Sequence, residues 1–490
     1  MPQPGLALVA TLCSVALYDE GTIDVTLLVT RELRGAHMPV NRFSGQCDDA
    51  EDCSCTGGAH RRRAVIGRGT STDASDVVAL DTGAYHYGSG TFYSTFKGNA
   101  SAEFFADAEY DAFGLTFRDF VGDGAEGLAS YLRHARGLRP GLPLATVTNY
   151  NLDGDEVLGS LLAPYTLVAL PGNETLAVLS LTDPTHMGAQ PGVTARLRPF
   201  RESLLGTLAL LRRLLPPPRV VVCMVTHAPT PEADLAAAAR DEVAVRDQVV
   251  NELVREGIGV DVFILGGFYT RDAAGTPYVM QNWAGDDVLV APAAGSGSYG
   301  RSIDNITISF RRADGLLIGS SARVATIPMA CGAAVHNATL ARLREWHATN
   351  TRLLGDSVGT LLTALDAPEQ VAPVASNASC TVLNGVDVCG CRAASCEQGA
   401  FVADALAFVA PSADAAVFNA GSLRGRLSAG SVTRSALIEM LPFNNQVVVL
   451  ELSGATLRLV LTNAISQLAL QDAETGAGDG RFLQVSSSLP

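Results

Sequence analysis

The chain has 490 residues, 47% of them apolar and 17% charged, with a formal net charge of −15. So much core-forming material rules out a disordered chain, and the length corresponds to two to four domains at roughly 150 residues each. The acidic balance excludes a general binder of nucleic acid or anionic membrane, but not a local cationic pocket. Lys97 is the sole lysine among 35 basic residues, so arginine is the default cation here and any one arginine carries less information than usual.

The first residues, MPQPGLALVATLCSVALYDEG, hold an apolar run from Leu6 to Leu17 with small residues Ser14 and Ala16 near its end. This pattern predicts a signal peptide over 1–18, although no basic residue precedes the run; the alternative is a buried first strand. No later stretch is apolar for 18 residues, so no membrane-spanning segment is expected. Sequons at Asn99, Asn173, Asn305, Asn337 and Asn377 point to a secreted glycoprotein. Ten cysteines point the same way.

Short apolar runs alternate with helical patterns through the first two thirds. Strands are predicted at Ile23–Val29, Val77–Leu80, Thr166–Leu170, Leu176–Leu181, Val220–Val225 and Val262–Leu265, and helices at Gly124–His134, Phe200–Leu215 and Glu232–Arg255. This is an α/β pattern. The prolines at 216–218 stop a helix ahead of a strand. Ile303–Phe310 and Leu316–Val324 read as a hairpin closing a first domain. Thr339–Leu354 reads as a connector helix anchored by Trp346. A second α/β unit follows from Asp356, with helices at Gly399–Phe408 and Gly454–Leu468 and an apolar strand at Val447–Leu452. In CTVLNGVDVC the Asn384-Gly385 turn pairs Cys380 with Cys389 across a hairpin. At a non-hydrogen-bonded position the Cα atoms lie about 4.5 Å apart, within reach of a disulfide, with two free thiols as the alternative. Cys223, inside an apolar run, reads as core.

Ligands gather at the C-terminal ends of strands in such sheets. Those junctions read TRELRG at 30–35, DTGAYHYG at 81–88, TFRDF at 116–120, THAPT at 226–230 and GGFYT at 266–270. Together with YDAFGLTFRDF at 110–120, GAEGLASYL at 124–132, VDVFILGGF at 260–268, VFNAGSLRG at 417–425, MLPFNNQVVVLELSGATL at 440–457 and GRFLQV at 480–485, they resemble the 5′-nucleotidase family in order and over nearly the whole chain. The resemblance implies a metallophosphoesterase-like α/β/β/α sandwich over 19–335, a connector over 336–355 and a 5′-nucleotidase-type C-terminal α/β domain over 356–490. It also implies nucleotide hydrolysis at a two-metal site, where a bridging carboxylate holds two cations and an activated water attacks phosphorus.

The positions implied for that site have mostly changed chemistry. The first motif's Asp and His fall at Glu32 and Arg34, and the bridging Asp at Ala84. The Asn-His pair falls at Phe117 and Arg118, which places an arginine at the catalytic His position; the residue that orients it falls near Val121. His227 keeps its ligand, and Phe268 replaces another. Glu32 and His227 are thus weak metal remnants, and no intact catalytic residue is expected. His60, His86 and His186 could serve as substitute ligands by type only. Arg34 and Arg118 could hold a phosphate without cutting it. The alternative is that Arg34 pairs with Glu32 or Asp119, or faces solvent.

The C-terminal half matches the family better. Phe443 and Phe482 match two rings that sandwich a base, Asn419 a base contact, and Arg392 and Arg424 substrate contacts; the alternative places the rings in the core and Arg424 in packing or an ion pair. Ser422 replaces a turn glycine. The family continues beyond the point at which this sequence stops, so either a truncated sequence or a pocket short of one wall is expected. By the resemblance Cys391 pairs with Cys396, and Cys47 with Cys55, leaving Cys53 odd. HRRR at 60–63 reads as an exposed helix start or a processing site.

The expectation is a secreted nucleotidase-like protein with impaired catalysis, no cofactor, and nucleoside or nucleotide binding in its C-terminal domain. One alternative is an active phosphohydrolase using zinc, manganese or magnesium through an altered site. Another is a glycosylated interaction scaffold without a ligand. A homodimer is implied by the resemblance alone.

Overall fold

A computed structural model of the chain describes residues 21–40, 46–47, 49–70, 77–88, 91–121, 123–183, 191–226, 250–266, 277–292, 298–311, 314–365, 380–383, 386–389, 391, 394–423, 427–443, 445–466 and 481–487. The expected leader, His186, His227, most of the helix over Glu232–Arg255, Phe268, Asn377, Arg392 and Arg424 lie outside the described residues.

In chain order the principal strands of the N-terminal part are β1 (Thr22–Thr30), β2 (Val77–Asp81), β3 (Ala112–Phe113), β4 (Thr166–Leu170), β5 (Glu174–Thr182), β6 (Val220–Thr226), β7 (Val262–Gly266), β8 (Tyr278–Gln281), β9 (Asp287–Ala291), β10 (Ser302–Arg311) and β11 (Arg323–Pro328). They form two sheets, ordered β11-β10-β1-β2-β3 and β8-β9-β7-β6-β5-β4. The central pairings β1–β2, β5–β6, β6–β7 and β7–β9 are parallel, and β10 joins β1 antiparallel. Alternation along the strands decides how the sheets meet. Val25, Leu27, Val178, Val222, Ile264 and Ile306, all 0% exposed, form one layer between the sheets. Each such side chain stabilises by roughly 1.5–3 kcal/mol relative to exposure.

The helices are α1 (Ala59–Thr70), α2 (Thr91–Phe96), α3 (Gly98–Ala108), α4 (Phe117–Val121), α5 (Gly124–Leu138), α6 (Phe200–Leu211) and α7 (Asn337–Leu354). Phe105 of α3 and Leu128 and Leu132 of α5 cover the outer face of the first sheet, while Leu204 and Leu208 of α6 cover the second. The result is the expected α/β/β/α sandwich. α6 stops at Leu211, earlier than the predicted Leu215, and a turn leads into the prolines. The predicted strand Leu316–Val324 is displaced. Leu317 makes only a bridge to Phe310, a 3-10 turn occupies Gly319–Ser321, and the paired strand is β11. The Gly-Ser-Ser sequence yields to local turn bonds there.

The HRRR segment is not exposed. His60, Arg61 and Arg62 are 0%, 3% and 2% accessible inside α1. Arg61 donates to the carbonyls of Ala50, Cys55, Gly57 and Met329, so its buried donors find backbone acceptors and close the neighbouring loop. That loop carries the Cys47–Cys55 disulfide. Cys53 is not odd: it bonds Cys331, 278 residues away, which sequence spacing could not indicate. α7 then lies against the sandwich. The Trp346 ring meets Phe96 edge-on at 4.6 Å, and its Nε1 donates to Glu103 at 2.7 Å.

In the C-terminal part, β12 (Ser357–Leu361) pairs with β16 (Gly430–Thr433), and β15 (Val417–Asn419) with β17 (Leu483–Val485). β13 (Cys380–Leu383) and β14 (Val386–Cys389) form a hairpin that sets Cys380 opposite Cys389, although the side chains of these two are outside the described residues. The helices are α8 (Glu397–Val409), α9 (Arg434–Met440) and α10 (Gly454–Ile465). Cys391 bonds Cys396, and both join Val402, Ala420, Leu423 and Met440 in a small core. The predicted strand Val447–Leu452 is absent: its residues pair with no strand among those described, and Val448 and Leu450 are about 70% exposed. β-propensity without a neighbouring ladder does not make a strand. Cys223, free and buried in β6, is core.

Candidate functional site

The turn after β1 is built on two unusual backbone conformations: Glu32 and Arg34 have φ of 47° and 50°. Facing it, Ala84 after β2 has φ of 61°. Three non-glycine residues in the left-handed region mark a strained junction of the kind found at ligand sites. Arg34 N donates to Ala84 O at 2.6 Å, which ties the two turns together. Asp119, at the start of α4, fixes the second turn from below. Its Oδ2 accepts from Ala84 N at 2.7 Å and Thr116 N at 2.8 Å, and its Oδ1 from His86 N at 3.2 Å. Burial raises its pKa, against these backbone bonds. Asp119 therefore serves the backbone and not Arg34. The sequence held no sign of this beyond the residue type.

Arg34 and Arg118 converge on one atom. Arg34 Nε lies 2.9 Å, and Arg118 Nε 3.3 Å, from Oε2 of Glu32. The Glu32 side chain is 2% exposed and each arginine side chain 15%. Arg34 Nη1 also donates to the Tyr299 hydroxyl at 3.2 Å, and its guanidinium lies 5.0 Å from that ring's centroid. Burial alone would lower the Arg34 pKa, but Glu32 and Tyr299 outweigh it and raise it. Arg118 goes the other way: burial and then the Arg34 charge lower its pKa, with Glu32 only partly offsetting them. Its guanidinium stands 5.2 Å from the Phe117 ring. Tyr299 was not singled out by its sequence context, and neither was Arg31. The latter forms a buried ion pair with Asp304 at 2.7 Å beside this turn.

A pair of divalent cations does not fit these residues. Ala84, at the position the resemblance assigns to the bridging carboxylate, offers only a methyl group, and the Glu32 carboxylate is already shared by two guanidinium groups. A divalent ion about 4 Å from a guanidinium meets repulsion of roughly 8 kcal/mol at an effective dielectric of ~20, and Glu32 can cancel one such contribution but not two. Asp81, behind the site, accepts from Thr30 Oγ1 and Gly83 N, and its carboxyl is pushed up to about 8 chiefly by burial, with Asp119 adding to it. Among the described residues no group of three or more His, Cys, Asp or Glu side chains could hold a metal.

The substitute ligands are placed elsewhere. His86 is 1% exposed, stacked on Tyr131 at 4.7 Å and edge-on to Tyr93 at 5.7 Å, and burial lowers its pKa to about 4. His60 is buried in α1, and burial, then Arg61 and Arg62, lower it to about 4. Both are packing histidines. Lys97, at the start of α3, stands 5.3 Å from the Tyr93 ring and 3.6 Å from Asp123 Oδ1.

The C-terminal residues form a second arrangement. Strand register sets Asn419 opposite Leu483, and Ala420 N donates to Phe482 O at 2.8 Å, so Asn419 and Phe482 are neighbours. Ser422 Oγ donates to Asn419 Oδ1 at 2.8 Å, so this hydroxyl orients the amide. Phe482 is half-buried and lines an open groove of about 420 Å³ with Leu457, Arg458 and Leu461 of α10. Phe443 is also half-buried, following α9, but is not among that groove's lining residues.

With the sandwich, the altered strand-end site and the groove in place, the comparisons with known proteins can be read. Residues 372–489 match the family model for the 5′-nucleotidase C-terminal domain. An apyrase of Anopheles gambiae is 22% identical over 470 residues, covering 92% of this chain and 75% of that protein. A 5′-nucleotidase of Diplobatis ommata is 22% identical over 523 residues, covering 98% and 76%. The crystal structure of a 5′-nucleotidase precursor from Thermus thermophilus superposes with a TM-score of 0.65, at 22% identity over 95% of this chain and 81% of the other. The class is therefore a two-part α/β protein with a metallophosphoesterase-like sandwich ahead of a nucleotidase C-terminal region. Within that class, residues 372–489 match the 5′-nucleotidase C-terminal domain, and the chain is similar over most of its length to an apyrase and a 5′-nucleotidase.

Proposed function

We propose that this chain is a secreted member of the family that has lost two-metal hydrolysis and keeps nucleoside or nucleotide binding in its C-terminal domain. The observation that carries the first half is the sharing of Glu32 Oε2 by Arg34 and Arg118 opposite Ala84. The guanidinium pair replaces cations rather than binding them. The second half is supported by Asn419, oriented by Ser422, beside the Phe482 ring at an open groove. Arg392, Arg424 and Phe443 are assigned to the same ligand by family position. Disulfides at Cys47–Cys55, Cys53–Cys331 and Cys391–Cys396 support an oxidising compartment. The division into a sandwich to residue 335, a connector to 355 and a C-terminal domain beyond belongs to the same proposal.

Two measurements test it. Phosphate release from AMP and ADP is followed with zinc, manganese or magnesium supplied in turn. No metal-dependent release is expected; release that rises with metal and disappears with chelator refutes the loss of hydrolysis. Calorimetric titration with adenosine and AMP tests the binding half. Absence of heat and of competition for both ligands would leave a scaffold without a nucleoside ligand.

A further inference from the structure

The four described sequons are not equivalent in the folded protein. Asn99 and Asn337 each sit in the first turn of a helix, α3 and α7, and both are exposed. Asn173 is exposed at the tip of the turn between β4 and β5, with φ of 64°, a conformation that asparagine tolerates better than most residues. Asn305 is different. It lies within β10, paired with Leu28 of β1 on one side and Ala325 of β11 on the other. On its face of the sheet Leu28 and Ile303 are 4% and 0% exposed beneath the helical layer, and Asn305 is only partly exposed, its Oδ1 buried with no hydrogen-bond partner among the described residues.

We propose that Asn99, Asn173 and Asn337 carry N-linked glycans and that Asn305 does not. The acceptor is the side-chain amide nitrogen, and the attached sugar must leave the folded surface without displacing its neighbours. At the three exposed positions the amide projects from a helix start or a turn tip into solvent. At Asn305 a branched glycan would have to emerge between two neighbouring strands and under the helices that cover Leu28 and Ile303. The hydroxyls of two occupied sequons take on separate work after folding. Ser101 Oγ bonds His37 Nε2 at 2.9 Å, and Thr339 Oγ1 bonds His336 Nδ1 at 2.7 Å and also Asp107. All three predicted glycans lie on the sandwich or at the start of α7, and none of the described sequons lies at the Phe482 groove. Glycosylation in this pattern leaves the proposed nucleoside site open.

The inference rests on the secreted reading, and the experiment separates the two. The full chain is expressed in a secreting eukaryotic cell, recovered from the medium and deglycosylated with peptide N-glycosidase in ¹⁸O-water. Peptide mass spectrometry then reads which asparagines became ¹⁸O-labelled aspartate. Label is expected at positions 99, 173 and 337 and not at 305. Asn99→Gln, Asn173→Gln and Asn337→Gln should each remove one mobility step on a gel, and Asn305→Gln none. Full labelling at 305, or an unlabelled position among the other three, overturns the proposal. A chain retained in the cytosol with every sequon bare refutes secretion instead. The same chain behind a heterologous leader then reads the sorting of the four sites by the same label.

Discussion

Replacing Glu32 by Gln should be far more damaging than replacing Arg118 by Met, although both break the same ion pair. Glu32 is the carboxylate that two guanidinium groups share, and its side chain is 2% exposed. Without its charge, Arg34 and Arg118 face each other in a poorly solvated pocket. Removing one partner of a buried pair costs about 3–5 kcal/mol, and the 15% exposure of the arginines brings the expectation to about 2–4 kcal/mol. Arg118→Met removes the under-compensated cation and leaves a one-to-one pair between Glu32 and Arg34, so a change within about 1 kcal/mol of zero is expected. Guanidinium chloride would screen the very interaction in question, so urea unfolding at low and high salt is the assay. The Glu32→Gln deficit should shrink with added salt, because salt screens the exposed part of the repulsion. Equal losses in the two variants, or a loss below about 1 kcal/mol for Glu32→Gln, would refute the shared-carboxylate account of this site.

Three further outcomes follow from other parts of the molecule. The folded Asp81 carboxyl titrates at about 8 against an unfolded value of 3.8, so its contribution is fully present below the unfolded value and is lost as pH rises through the folded one. Asp81→Asn should therefore gain on the wild type by up to about 1.4 kcal/mol per pH unit between about pH 4 and 8, and a pH-independent difference in urea midpoints contradicts the burial assignment. Cys331→Ser opens a link across 278 residues and should cost about 2–5 kcal/mol, read as a loss that reducing agent no longer increases at that position. Phe482→Ala should weaken adenosine binding by roughly 1–3 kcal/mol, the range for aromatic stacking on a base, in isothermal titration; unchanged affinity would place the ligand away from the groove.

The sandwich was legible because it is written in runs. β1, β2, β4, β5, β6 and β7 each appear as a short apolar stretch, and in β6 and β7 burial on both faces makes the stretch continuous. The departures come from what a run cannot report. Val447–Leu452 has the composition of a strand, but pairing depends on a neighbour that no local pattern encodes. HRRR has the composition of a surface, but Arg61 reaches four carbonyls supplied by a loop and by Met329, far along the chain. At the altered site the residue identities were readable and their partners were not. That Arg34 would choose Glu32 over Asp119 depends on three backbone amides claiming Asp119 first. The Cys53–Cys331 bond is of the same kind, a long-range choice among cysteines that spacing leaves open.

The lone lysine has a practical consequence. Lys97 is 59% exposed at its side chain, so an amine-directed dye or cross-linker meets one ε-amino group in the whole chain besides the α-amine, at a fixed place beside Tyr93 and Asp123. A protease that cuts after lysine has one target in this sequence and separates the chain between Lys97 and Gly98. Cys53 belongs to the first fragment and Cys331 to the second. The two pieces of a cut, denatured chain should run together on a gel until the thiols are reduced, and then separate, which turns a sparse amino-acid usage into a direct reporter of one covalent cross-link.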